Sequence, residues 1–69
     1  MEELIFVVEE APEGGFTARA LGESIFTEGE NLAALKKNIL DAVRCHFEDL
    51  SRRPKVVRLH MVKDEVLPV

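Results

Sequence analysis

Two histidines, one cysteine and thirteen carboxylates are what this chain offers to chemistry. An imidazole can move protons near neutral pH or bind a metal. A thiolate can act as a nucleophile, and converging carboxylates can hold magnesium for phosphodiester cleavage. The spacings argue against each. Cys45 and His46 are adjacent on a predicted helix, so their side chains point about 100° apart. Cys45 sits in the C-terminal half of that helix, where the dipole disfavours a thiolate, and an inert thiol is expected. His46 and His60 alone are too few for a zinc site. Glu9 and Glu10 end a strand, whereas Asp41 and Glu48 fall on the water-facing side of the helix, so a magnesium site is not expected. Gly14-Gly15 and Gly22 lack the lysine and the strand-to-helix position of a phosphate loop.

The remaining candidate is the basic group Arg52, Arg53, Lys55 and Arg58. It could meet RNA or an acidic partner. No aromatic residue interleaves it to stack on bases, so helix-end complementation and solvation is the simpler reading. No catalytic residue, metal or cofactor is expected. A small enzyme or RNA binder using His46, His60 or the Arg52–Arg58 group stays open as the alternative.

The elements that would position these groups follow from periodicity. Leu4-Ile5-Phe6-Val7-Val8 is a short apolar run rich in β-branched and aromatic residues, which reads as a strand. Leu4, Phe6 and Val8 share one face, and Ile5 and Val7 share the other. Both faces are apolar, the pattern of a strand covered on two sides. Ala11-Pro12-Glu13-Gly14-Gly15 is a turn. Phe16 to Leu21 alternates as a second strand, with Thr17 and Arg19 on the opposite side from Phe16, Ala18 and Ala20. Gly22-Glu23 links it to a short third strand, Ser24 to Thr27. Asn31 is a good helix N-cap. From Leu32 to about Leu50, Leu32, Leu35, Ile39, Ala42, Val43, His46, Phe47 and Leu50 fall within an arc of about 140°. His46 is therefore expected to be packed or partly buried, with one hydrogen bond. Pro54 stops the helix. Val56 to Val62 forms a fourth strand, with Arg58 and His60 on its polar side, and residues 63–69 form a tail.

The order β-β-β-α-β predicts an α+β fold with a mixed four-stranded sheet. If the first three strands form a meander, the fourth pairs with the first and the sheet order is 3-2-1-4. One helix covers one face only. Either Ile5 and Val7 or Leu4, Phe6 and Val8 then face outward, and the open face is expected to meet a partner or a second copy of the chain, with Ile5, Val7, Thr17, Arg19, Arg58 and His60 as the contact candidates.

Composition narrows the setting. Sixty-nine residues make one small domain, 1–69, marginally stable alone. One cysteine cannot form an internal disulfide, so association is the expected supplement and a homo-oligomer is anticipated. Hydrophobic content of 46% is too high for disorder. No apolar run is long enough to span a membrane. The acidic start and the free thiol suggest the cytoplasm. Net charge is −4. Residues 1–30 hold eight acidic side chains and one basic, and residues 31–69 hold eight basic and five acidic. An acidic body disfavours binding to DNA or RNA.

Several short elements in order resemble the HicB antitoxin-like family. They are Phe6-Val7-Val8-Glu9, Glu13-Gly14-Gly15-Phe16-Thr17-Ala18, Thr27-Glu28-Gly29-Glu30-Asn31-Leu32, and the helix through Asn38, Ala42 and Val43. The likeness covers roughly residues 4–50. The family's Pro-Gly-Cys turn is eroded here to Ala20-Leu21-Gly22-Glu23-Ser24-Ile25. The resemblance implies a partial ribonuclease-H-like fold without catalysis. It also implies a small ribonuclease toxin as partner, neutralised by masking. Family members often carry a DNA-binding segment after the fold. About seven residues follow the fourth strand here, so a DNA-binding role is not expected. The rival expectation is an orphan module that only self-associates.

Overall fold

In the computed structural model, which describes residues 1–69, five elements follow one another: β1 (Glu3–Glu10), β2 (Phe16–Ala20), β3 (Phe26–Gly29), α1 (Leu32–His46) and β4 (Val56–Met61). The sheet order is β3-β2-β1-β4. β1 pairs antiparallel with β2 and parallel with β4, and β2 pairs antiparallel with β3. The expected α+β fold and mixed sheet are thus observed, with β1 inside the sheet and β4 at an edge.

The core follows the alternation of the strands. Leu4, Phe6 and Val8 of β1 and Ala18 and Ala20 of β2 point to one side and are buried. Leu35, Ile39 and Val43 of α1 pack onto them, together with Ile25 and Phe47. The two alanines leave room for the helix, which lies over β3 and β2 and does not reach β4. Val57 and Leu59 of β4 are consequently only partly buried.

Local polar contacts set where the helix begins. The Asn31 side chain accepts a hydrogen bond from the Ala34 amide at 2.8 Å, satisfying a free donor of the first turn. Asn38 Nδ2 donates to the Glu28 carbonyl at 2.7 Å, tying α1 to β3. Gly29, at the end of β3, has no side chain because none would fit. A Cβ there would lie 2.5 Å from the Leu35 amide nitrogen and 2.7 Å from its Cα. Gly15 takes φ +81 where the hairpin enters β2, and a Cβ would meet the Gly29 carbonyl at 2.8 Å.

β1 starts one residue before Leu4 and β2 stops one residue before Leu21, and three other elements also differ from the sequence reading. The helix ends at His46, not near Leu50. Phe47 is its C-cap, with φ −110 and ψ 78. The Arg53 guanidinium donates to the Phe47 carbonyl through Nε at 3.2 Å and NH2 at 2.9 Å, and to the Arg44 carbonyl at 3.3 Å. Asp49 accepts from both the amide and the hydroxyl of Ser51, which closes a separate turn. These contacts outcompete another helical turn, and Leu50 is 73% exposed rather than part of the apolar stripe. The third strand is Phe26–Gly29 instead of Ser24–Thr27, because Gly22 (φ +84) and a bend leave Ile25 buried in the link. The last strand stops at Met61, one residue short of Val62.

Replacing Gly29 with alanine should push β3 from α1 and lower stability by about 1–3 kcal/mol. Urea denaturation followed by circular dichroism measures it.

Candidate interaction surface

The cross-strand register assembles one face of the sheet from residues distant in sequence. Phe26, Arg19, Val7 and His60 form a row across all four strands. Ile5 lies beside Arg58, Glu3 beside Val56, and Thr17 beside both Glu9 and Glu28. All six residues expected on the open face, Ile5, Val7, Thr17, Arg19, Arg58 and His60, are therefore on it. No element of the chain packs over this face, because α1 lies on the other. Ile5 and Val7 are shielded only by their neighbours and remain half-buried, while Val56 is exposed.

Phe26 is the residue that the sequence reading missed. It is 65% exposed at the β3 end of the row. The signal was present in Ile25-Phe26: neighbours on a strand point to opposite faces, so one of the pair had to leave the core. The core took Ile25.

Charge on this face is mixed and ordered. Arg58 Nε donates to Glu3 Oε1 at 2.7 Å and NH2 to Oε2 at 3.1 Å, a two-bond fork between β4 and β1. Chiefly through that hydrogen bond, Arg58 holds the Glu3 carboxyl below its usual range, and Glu3 in turn raises Arg58. Both side chains are reached by water, so the fork fixes orientation more than it stabilises the fold. Thr17 between Glu9 and Glu28 makes the far end of the face acidic.

The remaining candidates are dispersed. Lys55 Nζ pairs with Glu2 at 3.1 Å, Arg53 caps α1 and Arg58 holds Glu3, so three of the four basic residues have partners within the chain. His46 Nε2 is 3.1 Å from Glu23 Oε1, and its ring meets Phe47 edge-on at 4.8 Å. It has the expected single partner, but at the surface. His46 and His60 stand on opposite sides of the sheet. Cys45 is exposed. No group of three or more His, Cys, Asp or Glu side chains comes together with metal-binding geometry. No helix is long and apolar enough to cross a membrane.

Two relatives share this sequence at length. A UPF0150 protein of Archaeoglobus fulgidus is 55% identical over 53 residues, which is 77% of each chain. A UPF0150 protein of Thermotoga maritima is 37% identical over 68 residues, covering 99% of this chain and 94% of the relative. No protein-family model matches the chain, and no solved structure does.

The Glu3–Arg58 fork makes a titration prediction. Glu3 should titrate below its ordinary value of 4.5, and Arg58→Met should return it towards that value. A carboxylate lowered in the folded state contributes fully above its unfolded pKa, and that contribution is lost as pH falls through the folded one. Carboxyl-detected NMR of Glu3 in both chains measures the shift.

Proposed function

The chain belongs to the UPF0150 family, and from that premise we propose that it is a non-enzymatic interaction module of HicB antitoxin type. Its open sheet face would bind and mask a small ribonuclease toxin. The observation that carries this reading is the uncovered face itself: an internal strand presents Ile5 and Val7, bordered by exposed Phe26 and Val56, with nothing of the chain over them. Uncovered apolar side chains interleaved with Arg19, Arg58 and His60 make a mixed surface of the kind that interaction sites use.

The rim suits such a partner. A ribonuclease that holds RNA presents basic side chains, and Glu9 and Glu28 supply the opposite charge at one end of the face. Charge of this kind speeds and orients association, while the buried aliphatic and aromatic residues supply affinity. Val7, central in its row between Arg19 and His60, would be the anchor. Masking needs no catalytic group, which agrees with the scattering of the histidines, the thiol and the carboxylates. The ribonuclease-H-like ancestry of the sheet belongs to the same proposal. The face could also take a second copy of the chain, a reading favoured by its mixture of Arg19 with Glu9 and Glu28 on one surface.

The test uses a purified ribonuclease of the HicB-partner type with a fluorescent RNA substrate. The native chain should suppress cleavage, and Val7→Lys should weaken suppression at least tenfold. Lys37→Glu, on the water-facing side of α1, should leave it unchanged. No suppression by the native chain, or full suppression by Val7→Lys, would overturn the proposal.

A further inference from the structure

A second unfilled surface lies on the helix side of the sheet, away from the face just described. Because α1 covers β2 and β3 but stops short of β4, a groove of about 290 Å³ runs between the helix and the edge strand. Ile39, Leu40, Val57 and Leu59 line it, and Lys36 stands at its rim. β4 borders it with an unpaired backbone edge, since β4 has β1 on one side and no strand on the other. Exposed edges of this kind accept an added strand.

The chain also carries a segment shaped for such a groove. Beyond β4, residues 63–69 leave the body of the molecule, which measures 51 Å along its long axis and only 20 and 18 Å across. Val66 is 90% exposed and Leu67 72%, and Val69 is exposed as well. Ordinarily a seven-residue segment ending Val-Leu-Pro-Val would lay its apolar side chains against something. It does not lie in its own groove. Lys63 and Asp64 run on past the Ala11–Pro12 turn at the far end of β1, whereas the groove sits back beside Val57 and Leu59. The tail would have to reverse at the residues that carry it forward.

We infer that residues 63–69 dock along the β4 edge of a second copy of this chain, with Leu67 and Val69 in that copy's groove. A two-fold axis near the end of β4 makes the exchange reciprocal, so each tail adds as an antiparallel fifth strand to the other sheet. Alternation then sets Leu67 and Val69 on the same side as Val57 and Leu59. Pro68 lies between them, so its missing N–H falls on the side away from the ladder, where an edge strand tolerates proline. Glu65, on the same side as Leu67 and Val69, precedes them and approaches Lys36 at the groove rim, so the charges are complementary. The exchange also answers the chain's small core: 11 of 69 residues are buried in one copy, and domains of this size commonly gain stability by oligomerising.

Light scattering at about 100 μM separates this contact from the open-face proposal. The native chain, of 7.8 kDa, should weigh twice its single-chain mass. Leu67→Asp and Leu40→Asp should each halve that mass, with the helical circular dichroism signal retained for Leu67→Asp because the tail contributes nothing to the core. Val7→Lys should leave the dimer intact. Lys36→Glu should weaken the dimer at least tenfold, and adding Glu65→Lys to it should restore association. A native monomer, or a Leu67→Asp chain that keeps the full dimer mass, would overturn the inference. A dimer broken by Val7→Lys but not by Leu67→Asp would do the same and assign association to the open face instead.

Discussion

β1 needs dry surroundings on two sides, and the chain has one helix to supply them. Leu4, Phe6 and Val8 are buried beneath α1 and the residues around it, while Ile5 and Val7 sit on the reverse face with only flanking side chains for cover. The rest of the molecule is arranged around that imbalance. Parallel pairing with β4 and antiparallel pairing with β2 place β1 inside the sheet. Small residues at Ala18, Ala20 and Gly29 let the helix settle close on one side. Closer packing there also draws the helix towards β3, which is why β4 is left with a groove.

The chemistry-bearing residues take supporting positions in this arrangement. Arg58 locks β4 to β1 by gripping Glu3. Arg53 serves the end of α1, and His46 leans on Glu23. Each is explained by a contact within the chain. What has no such explanation is apolar: Ile5, Val7 and Phe26 on the open face, and the tail through Leu67. Those two surfaces carry the functional reading because hydrophobic area without cover is the unsatisfied quantity in this fold.

Much of this was legible in the sequence. The sheet order came from connectivity, a meander of three strands followed by a helical crossover that returns the fourth strand to the first, and the five-residue run apolar on both faces agreed with a central β1. Strand alternation paired Ile5 with Val7, Thr17 with Arg19 and Arg58 with His60, and the register sets all three pairs on one face. The boundaries were less legible. The apolar stripe of α1 continues formally to Leu50, and only the Arg53 fork and the Asp49–Ser51 turn end it earlier. Such contacts depend on where the chain returns in space, which periodicity does not encode. Phe26 was hidden for a related reason: the link after β2 bends at Gly22, and that bend shifts β3 by two residues. The groove depended on the lateral position of the helix, which follows from side-chain sizes across three elements at once.

Methyl NMR of Ile5 and Val7 in the presence of a soluble paramagnetic agent tests the central claim most directly. In the dilute free chain their signals should bleach much faster than those of Leu35, Ile39 and Val43. On binding a ribonuclease of the proposed kind they should become protected to a similar degree. Ile5 and Val7 methyls that stay equally accessible in the complex, while protection appears on the water-facing side of α1, would contradict the account.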